Sequence, residues 1–515
     1  QSNALINKNG YLVFSRTMAY QLNYEKEPRP TLDFVKKTIG WLSAGDNYRQ
    51  CLGSWDFENF WVAKERYDFA YRRSGDNGTW ADNFIARYEG PMAHRYVEFA
   101  YSPAHGMVMV NQGANFDNDN KAVIQPMQMT LYRNGKWTDL STYSNPPAFI
   151  NDNGERKAMY EKNILRYPTP DPLGLHLDPD FPDYAVMGSI FDGITFMNMT
   201  DPAGTHLMFG SAENPKSTLP GFNVIAPNVP QWKGYCPMYP GGFDSEGTFW
   251  AYYMDVYSVL GEESGPKLMY WSKAARKNKF ENPEAASSDG WSYITIPFQD
   301  GGTAFGQCLA LKHEKNKNKI VIYTVTGDWP IIILDHKGTL EDTTDDVVTV
   351  YYGWSESGNS STKWAAIFDI TEDPVNRNII VSGQRACVEF PADNNPDSDV
   401  AHVSLLGTYN KGHLNPIVPR GQVNTVIFDE YNRAWIGTQS DGIIGLSADR
   451  KNIIAHYTTK NSPLPHDRVI HLGWNPEDKT LWISTHDGIA SVRPDAPSEA
   501  GADETEPMAV PSVVD

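Results

Sequence analysis

The chain has 515 residues, 63 acidic against 44 basic ones, and a formal net charge of −19. A surface this negative repels phosphate backbones and anionic lipid heads, which argues against nucleic-acid and membrane-surface binding. Aromatic residues at 12%, with 41 Gly and 35 Pro, suit short strands and many turns, and no run of 18 apolar residues offers a membrane span.

In chain order, Gln1-Ser2-Asn3-Ala4 looks like the scar of an engineered protease site and is set apart from the fold. A recurring pattern then begins, in which a turn is followed by an apolar, β-rich run. Copies lie near Val13, Trp61, Val108, Met208, Trp250, Val321 and Ile380. The step of 100 residues from Val108 to Met208 holds a long insertion or an unseen copy. Within it, Asn151 to Pro182, rich in Pro, Asp and Asn, reads as an excursion on a rim. Lys312 to Lys319 is the one dense basic run and reads as a solvated hairpin tip.

Two clean copies follow, Val423 to Ile443 and His471 to Ile489, with their tryptophans, Trp435 and Trp482, 47 positions apart. Each copy holds a β-branched run, a turn, a second strand and an Asp-Gly turn, for which a type I′ geometry is expected. Ile443 to Ser447 and Asn452 to Tyr457 supply third and fourth strands. Four antiparallel strands in some 45 residues make one blade of a β-propeller, whose blades bury their faces against their neighbours. The predicted fold is therefore all-β, a single propeller over residues 5–495 with a rim insertion around 151–182. Eight blades are counted from Trp61 to Trp482, with seven as the alternative, and the piece around Val13 is a candidate to complete the last blade. Each Trp is assigned to packing between sheets and each following Thr to turn closure. Residues 496–515, acidic and Pro-rich, read as a flexible linker to a further C-terminal domain.

Asn461-Ser-Pro-Leu-Pro465, Asp429-x-x-Asn432-x-x-Trp435-Ile-Gly-Thr438 and Leu481-Trp-Ile-Ser-Thr485-His-Asp-Gly488-Ile together resemble the two-component regulator propeller repeat. The match covers Val423 to Arg493. The resemblance implies either the periplasmic sensor propeller of Bacteroidetes hybrid histidine kinases or the PorZ-type proteins linked to type IX secretion. Both place the chain in the periplasm or at the cell surface, and the tail after Arg493 is more similar to the PorZ-type layout.

For chemistry, Asp171, Asp178, Asp180 and Asp183 are candidates for calcium, which takes 6 to 8 oxygen ligands, although their spacing matches no EF-hand. No other cofactor is expected. Asp192, Asp244 and Glu389 are turn-borne carboxylates that a glycosidase would need as a converging pair. His456, His466, His471 and His486 are expected to scatter over separate strands and loops. Cys51, Cys236, Cys308 and Cys387 have no metal or redox spacing and read as buried apolar residues. Tyr160, Tyr167, Trp232, Tyr235 and Tyr239 lie in the long segments 151–182 and 214–240, where aromatics can stack on sugar faces. The functional expectation is a non-catalytic propeller that binds a saccharide or a cell-envelope protein. The alternative is an extracellular carbohydrate-active enzyme, marked by paired carboxylates in a funnel with one pKa raised.

Overall fold

Short apolar runs punctuated by Gly, Asn and Asp become antiparallel strands throughout the computed structural model, which forms two compact units, residues 1–92 and 93–515. The structure describes residues 3–7, 10–14, 19–23, 48–53, 59–64, 69–73, 96–111, 114–116, 122–124, 129–140, 172–189, 193–200, 206–209, 238–253, 267–282, 290–296, 306–324, 330–356, 361–384, 387–394, 398–406 and 422–495.

In the first unit, Asn3–Asn7, Gly10–Phe14 and Ala19–Asn23 form one three-stranded sheet, and Tyr48–Gly53, Asn59–Lys64 and Phe69–Arg73 form another. The run around Val13 pairs with its own chain neighbours, Val13 opposite Ala4 and Tyr20.

The second unit contains seven sheets of one design among its described residues. Sheet I comprises Tyr96–Ser102, Gly106–Asn111, Met129–Arg133 and Lys136–Asp139. Sheet II comprises Pro172–Leu177, Tyr184–Ser189, Gly193–Asn198 and His206–Phe209. Sheet III comprises Met238–Phe243, Phe249–Tyr253, Lys267–Trp271 and Trp291–Thr295, with helix α1 (Lys273–Glu281) between its last two strands. Sheet IV comprises Gly306–Ala310, Lys319–Thr324, Ile331–Asp335 and Val347–Tyr351. Sheet V comprises Ile367–Glu372, Asn378–Gly383, Cys387–Pro391 and Ser404–Leu405. Sheet VI comprises Val423–Phe428, Ala434–Thr438, Ile443–Leu446 and Ile453–Tyr457. Sheet VII comprises Val469–Asn475, Thr480–Thr485 and Gly488–Val492. Each is an up-and-down meander in sequence order, the arrangement of a propeller blade, and sheets II and III are joined by a single pairing of Ser189 with Met238.

The first strands of sheets I to IV are neighbours in succession, as are those of sheets V to VII, and that of sheet VII returns to pack against that of sheet I. Sheets IV and V share one apolar cluster that includes Leu311, Tyr323, Ile370 and Phe390. The join between VII and I is made by side chains: Trp482, Phe99, Met107 and Ile489 are buried together, and the Tyr96 amide donates to Ser484 Oγ at 3.3 Å. Of the eight copies counted in the sequence, the one at Trp61 belongs to the first unit and the other seven to the second.

Trp250, Trp435 and Trp482 are all buried between adjacent sheets, as expected of scaffold residues. At about 25 cal/mol per Å² over roughly 200 Å², each indole contributes at most about 5 kcal/mol. The threonines close turns: Thr438 Oγ1 donates to Gly442 O at 2.9 Å and Thr485 Oγ1 to Gly488 O at 2.8 Å.

Three local expectations need correction. The Asp441-Gly442 turn is not type I′, because only Gly442 has positive φ and the Thr438 hydroxyl organises a four-residue loop instead. The I′ signature occurs at Asn134-Gly135, with φ of 51° and 76°. Met208 lies on the fourth strand of sheet II rather than the second, which is Tyr184–Ser189. Accordingly, the end of the expected rim excursion is Pro172–Leu177, the first strand of a sheet; residues 151–171 lie outside the described residues. The basic run does form the hairpin between the first two strands of sheet IV, its backbone N–H groups of Lys312 and His313 donating to Glu372.

Candidate functional site

The seven first strands differ from the strands behind them. Second strands are buried along nearly their whole length, whereas most first strands mix buried with half-buried residues. Half-buried polar side chains at the middle of a unit mark an axial, solvent-lined channel. One polar residue per sheet occupies the corresponding place: Glu98, His176, Tyr239, Gln307, Asp369 and His471, all half-buried, and the fully buried Thr425 of sheet VI.

A repeated backbone device puts several of them there. In sheets I, V, VI and VII the pairing of first and second strands slips by one residue at Tyr96/Glu98, Ile367/Asp369, Val423/Thr425 and Val469/His471. Such a bulge re-aims the side chain that follows it. Sheet II carries a similar irregularity between Leu173 and His176, and sheet III one between Pro240 and Gly242. Gly242, at φ +84°, leaves room for the His176 ring, which a Cβ there would meet at 3.1 Å.

The groups so placed are coupled. His471 Nε2 lies 3.1 Å from Glu98 Oε2, Thr425 Oγ1 donates to Asp369 Oδ2 at 2.9 Å, and Tyr323 OH donates to Gln307 Oε1 at 2.6 Å. His176 Nε2 donates to Pro240 O at 3.1 Å. Burial first, then the nearby Asp369 charge, pushes Glu98 up to about 8, with the Tyr239 hydroxyl partly offsetting the rise. The Glu98 side chain is 22% accessible, so most of it is enclosed by protein. Burial likewise raises Asp369 to about 6, against hydrogen bonds from Thr425 and backbone amides. It lowers His471 to about 4, and lowers His176 to about 4 with help from the Lys312 charge. Tyr239 and Tyr323 are both raised well above the usual phenol range, chiefly by burial. At neutral pH the channel therefore presents a protonated Glu98, an ionised Asp369, neutral imidazoles and neutral phenols. This set can both donate and accept hydrogen bonds.

Among the residues expected from sequence, Tyr239 is in this channel. Tyr160, Tyr167, Trp232 and Tyr235 lie outside the described residues, as do Asp171 and Asp192. The remaining calcium candidates are engaged by side chains of the protein itself. Asp178 forms a buried pair with Arg276 at 2.9 Å, Asp180 contacts Arg276 at 3.2 Å and also Lys273, and Asp183 meets His105 at 2.8 Å. Asp244 is a turn residue, accepting from the Thr248 amide at 2.8 Å and from Trp250 Nε1 at 2.8 Å. Glu389 sits on the third strand of sheet V, away from the channel, and burial raises its pKa. Cys308 and Cys387 are buried free thiols, both raised chiefly by burial.

The histidines depart from expectation. His471 is a channel residue and His456 caps the Asp441 carbonyl at 2.9 Å, but His466 and His486 are brought together with ring centroids 5.3 Å apart. Glu98, Asp369 and Gln307 were not anticipated. The signal for the first two is a buried apolar residue, one bulged residue, then a polar one, as in Tyr96-Val-Glu98, Ile367-Phe-Asp369, Val423-Asn-Thr425 and Val469-Ile-His471.

No family model matches the chain, and no curated protein does. Among solved structures, the fold is similar to that of PorZ, described as an essential bacterial surface component of the type IX secretion system of Porphyromonas gingivalis. The TM-score is 0.65 at 15% identity, over 95% of this chain and 56% of that one, so the chain spans about half of that protein. The β-propeller domain of Cps50 (Swd1) from Myceliophteria thermophila aligns with a TM-score of 0.44 at 10% identity, over 78% of this chain and 98% of that one. The likeness to PorZ is one of fold, and the chain is an all-β propeller protein.

Proposed function

We propose that this chain is a non-catalytic binding propeller of the bacterial cell surface that recognises a saccharide, with a cell-envelope protein as the other partner class. The observation that carries the reading is the channel ring of Glu98, His176, Tyr239, Gln307, Asp369, Thr425 and His471. A protonated carboxyl, phenols, an amide and neutral imidazoles match the mixed donors and acceptors of sugar hydroxyls, and phenol faces suit sugar rings. The cell-surface placement is carried over from the fold likeness to PorZ. Tyr160, Tyr167, Trp232 and Tyr235, which lie outside the described residues, complete the proposed ligand-binding set with Tyr239. Calorimetric titration with oligosaccharides released from bacterial envelope polysaccharide tests this. Saturable binding that weakens at least about tenfold in Tyr239→Ala is expected, and no heat from any saccharide fraction contradicts the saccharide reading.

A second reading, a carbohydrate-active enzyme, is favoured by one specific observation. Glu98 at about 8 and Asp369 at about 6 are carboxyls with separated pKa values in one channel, the pattern of an acid and a base. Glu98→Gln separates the readings, because it removes turnover from an enzyme and leaves a binding protein without a reaction to lose.

A further inference from the structure

Away from the channel, the lead-in to sheet VII and the hairpin between its last two strands bring His466, His486 and Asp487 to one place. One ligand atom from each lies within 4.8 Å of the others. We propose that these three residues form a binding site for a divalent transition-metal ion of the zinc class, outside the channel and independent of it.

The chemistry of the donor set points to that class. Two imidazoles and a carboxylate are borderline ligands that suit zinc, nickel or copper, whereas calcium and magnesium prefer all-oxygen shells. Three protein ligands leave a fourth position open to solvent or a substrate group. The site is also held in place before a metal arrives. The His486 amide donates to Arg468 O at 3.0 Å, which ties the hairpin to the lead-in. The lead-in is itself fixed by Asp467, whose carboxylate accepts from Thr459 N at 2.6 Å and Thr459 Oγ1 at 3.1 Å, while its carbonyl accepts from the Gly442 amide at 2.9 Å. His486 Nδ1 and Asp487 Oδ1 are 2.5 Å apart, so these two ligands already adjoin.

One contact works against binding and sets its strength. His466 Nδ1 accepts the Arg468 N–H at 2.8 Å, so in the neutral ring the proton sits on Nε2. Ligation through Nε2 requires the other tautomer and gives up that bond. Metal must therefore displace one backbone hydrogen bond, and micromolar affinity is expected rather than the nanomolar affinity of a structural zinc site.

Titration of the full chain with zinc sulfate by isothermal calorimetry tests the proposal. One equivalent is expected to bind, with the dissociation constant raised at least about tenfold in His466→Ala and in His486→Ala, and unchanged in His402→Ala. Cobalt(II) provides a second readout, visible ligand-field bands in the native protein that fade in Asp487→Ala. The three site variants alter half-exposed or exposed loop residues, and an unchanged melting temperature verifies their folding. Failure of the native protein to take up zinc overturns the proposal. Equal zinc affinity in the native protein and both histidine variants overturns it too.

Discussion

His471 Nε2 lies 3.1 Å from Glu98 Oε2 in a contact that is not an ion pair at neutral pH, because burial drives the two groups in opposite directions: the carboxyl up to about 8, the imidazole down to about 4. Both are neutral between those values. The folded protein holds a proton on Glu98 that the unfolded chain releases above its ordinary value of 4.5, so this group's contribution to stability falls as pH rises from there to 8. His471 acts oppositely: its contribution falls as pH drops from 6.5 to about 4. The opposing slopes overlap in the acid range, and Glu98 is left unopposed between the ordinary histidine value and its own. Urea denaturation is expected to show stability falling by roughly 1–2 kcal/mol from about pH 6.5 to 8. Glu98→Gln should flatten that slope.

The Asp429 carboxylate accepts from Trp435 Nε1 at 3.0 Å, Arg433 Nε at 2.6 Å and the backbone amides of Tyr431 and Arg433. Asp244 repeats the arrangement with Trp250, six residues on in both cases. Asp429→Ala strands an indole, a guanidinium and two amides at once, and is expected to destabilise the second unit by about 3 kcal/mol in denaturant titration. Asp429→Asn, which retains an acceptor, should cost less.

Arg276 on α1 is fully buried and binds Asp178, Asp180 and the carbonyls of Gly247 and Trp271. Arg276→Ala leaves the Asp178 carboxylate buried without its cation, so a loss of about 3–5 kcal/mol is expected. Since Asp178 and Asp180 are already paired with Arg276 and Lys273, millimolar calcium should not shift the native melting temperature. A rise would indicate ligation by these aspartates after all.

The fold was legible because the copies around Trp435 and Trp482 keep their indoles, turn threonines and glycines at fixed spacing, and each of these packs between sheets or closes a turn. Upstream, Val108, Trp250, Val321 and Ile380 were found by the same pattern on the second strands of their sheets. Sheet II was misplaced because its second strand, Tyr184–Ser189, carries neither Trp nor a strong turn signature and follows a Pro- and Asp-rich stretch that mimics a loop. The channel was legible only through Tyr239. Glu98 and Asp369 come from strands far apart in sequence, and a single slip in pairing decides whether each side chain faces the axis. The His466–His486 approach was likewise hidden, since it depends on two loops folding toward each other across 20 positions.

The most direct measurement of whether this propeller binds without turnover is a paired assay on envelope polysaccharide, scoring saccharide retained by the protein and new reducing ends released after long incubation. A binding propeller retains saccharide and releases no new reducing ends, in the native protein and in Glu98→Gln alike. Reducing ends that accumulate with the native protein and vanish in Glu98→Gln would contradict it and establish the channel carboxyls as a catalytic pair.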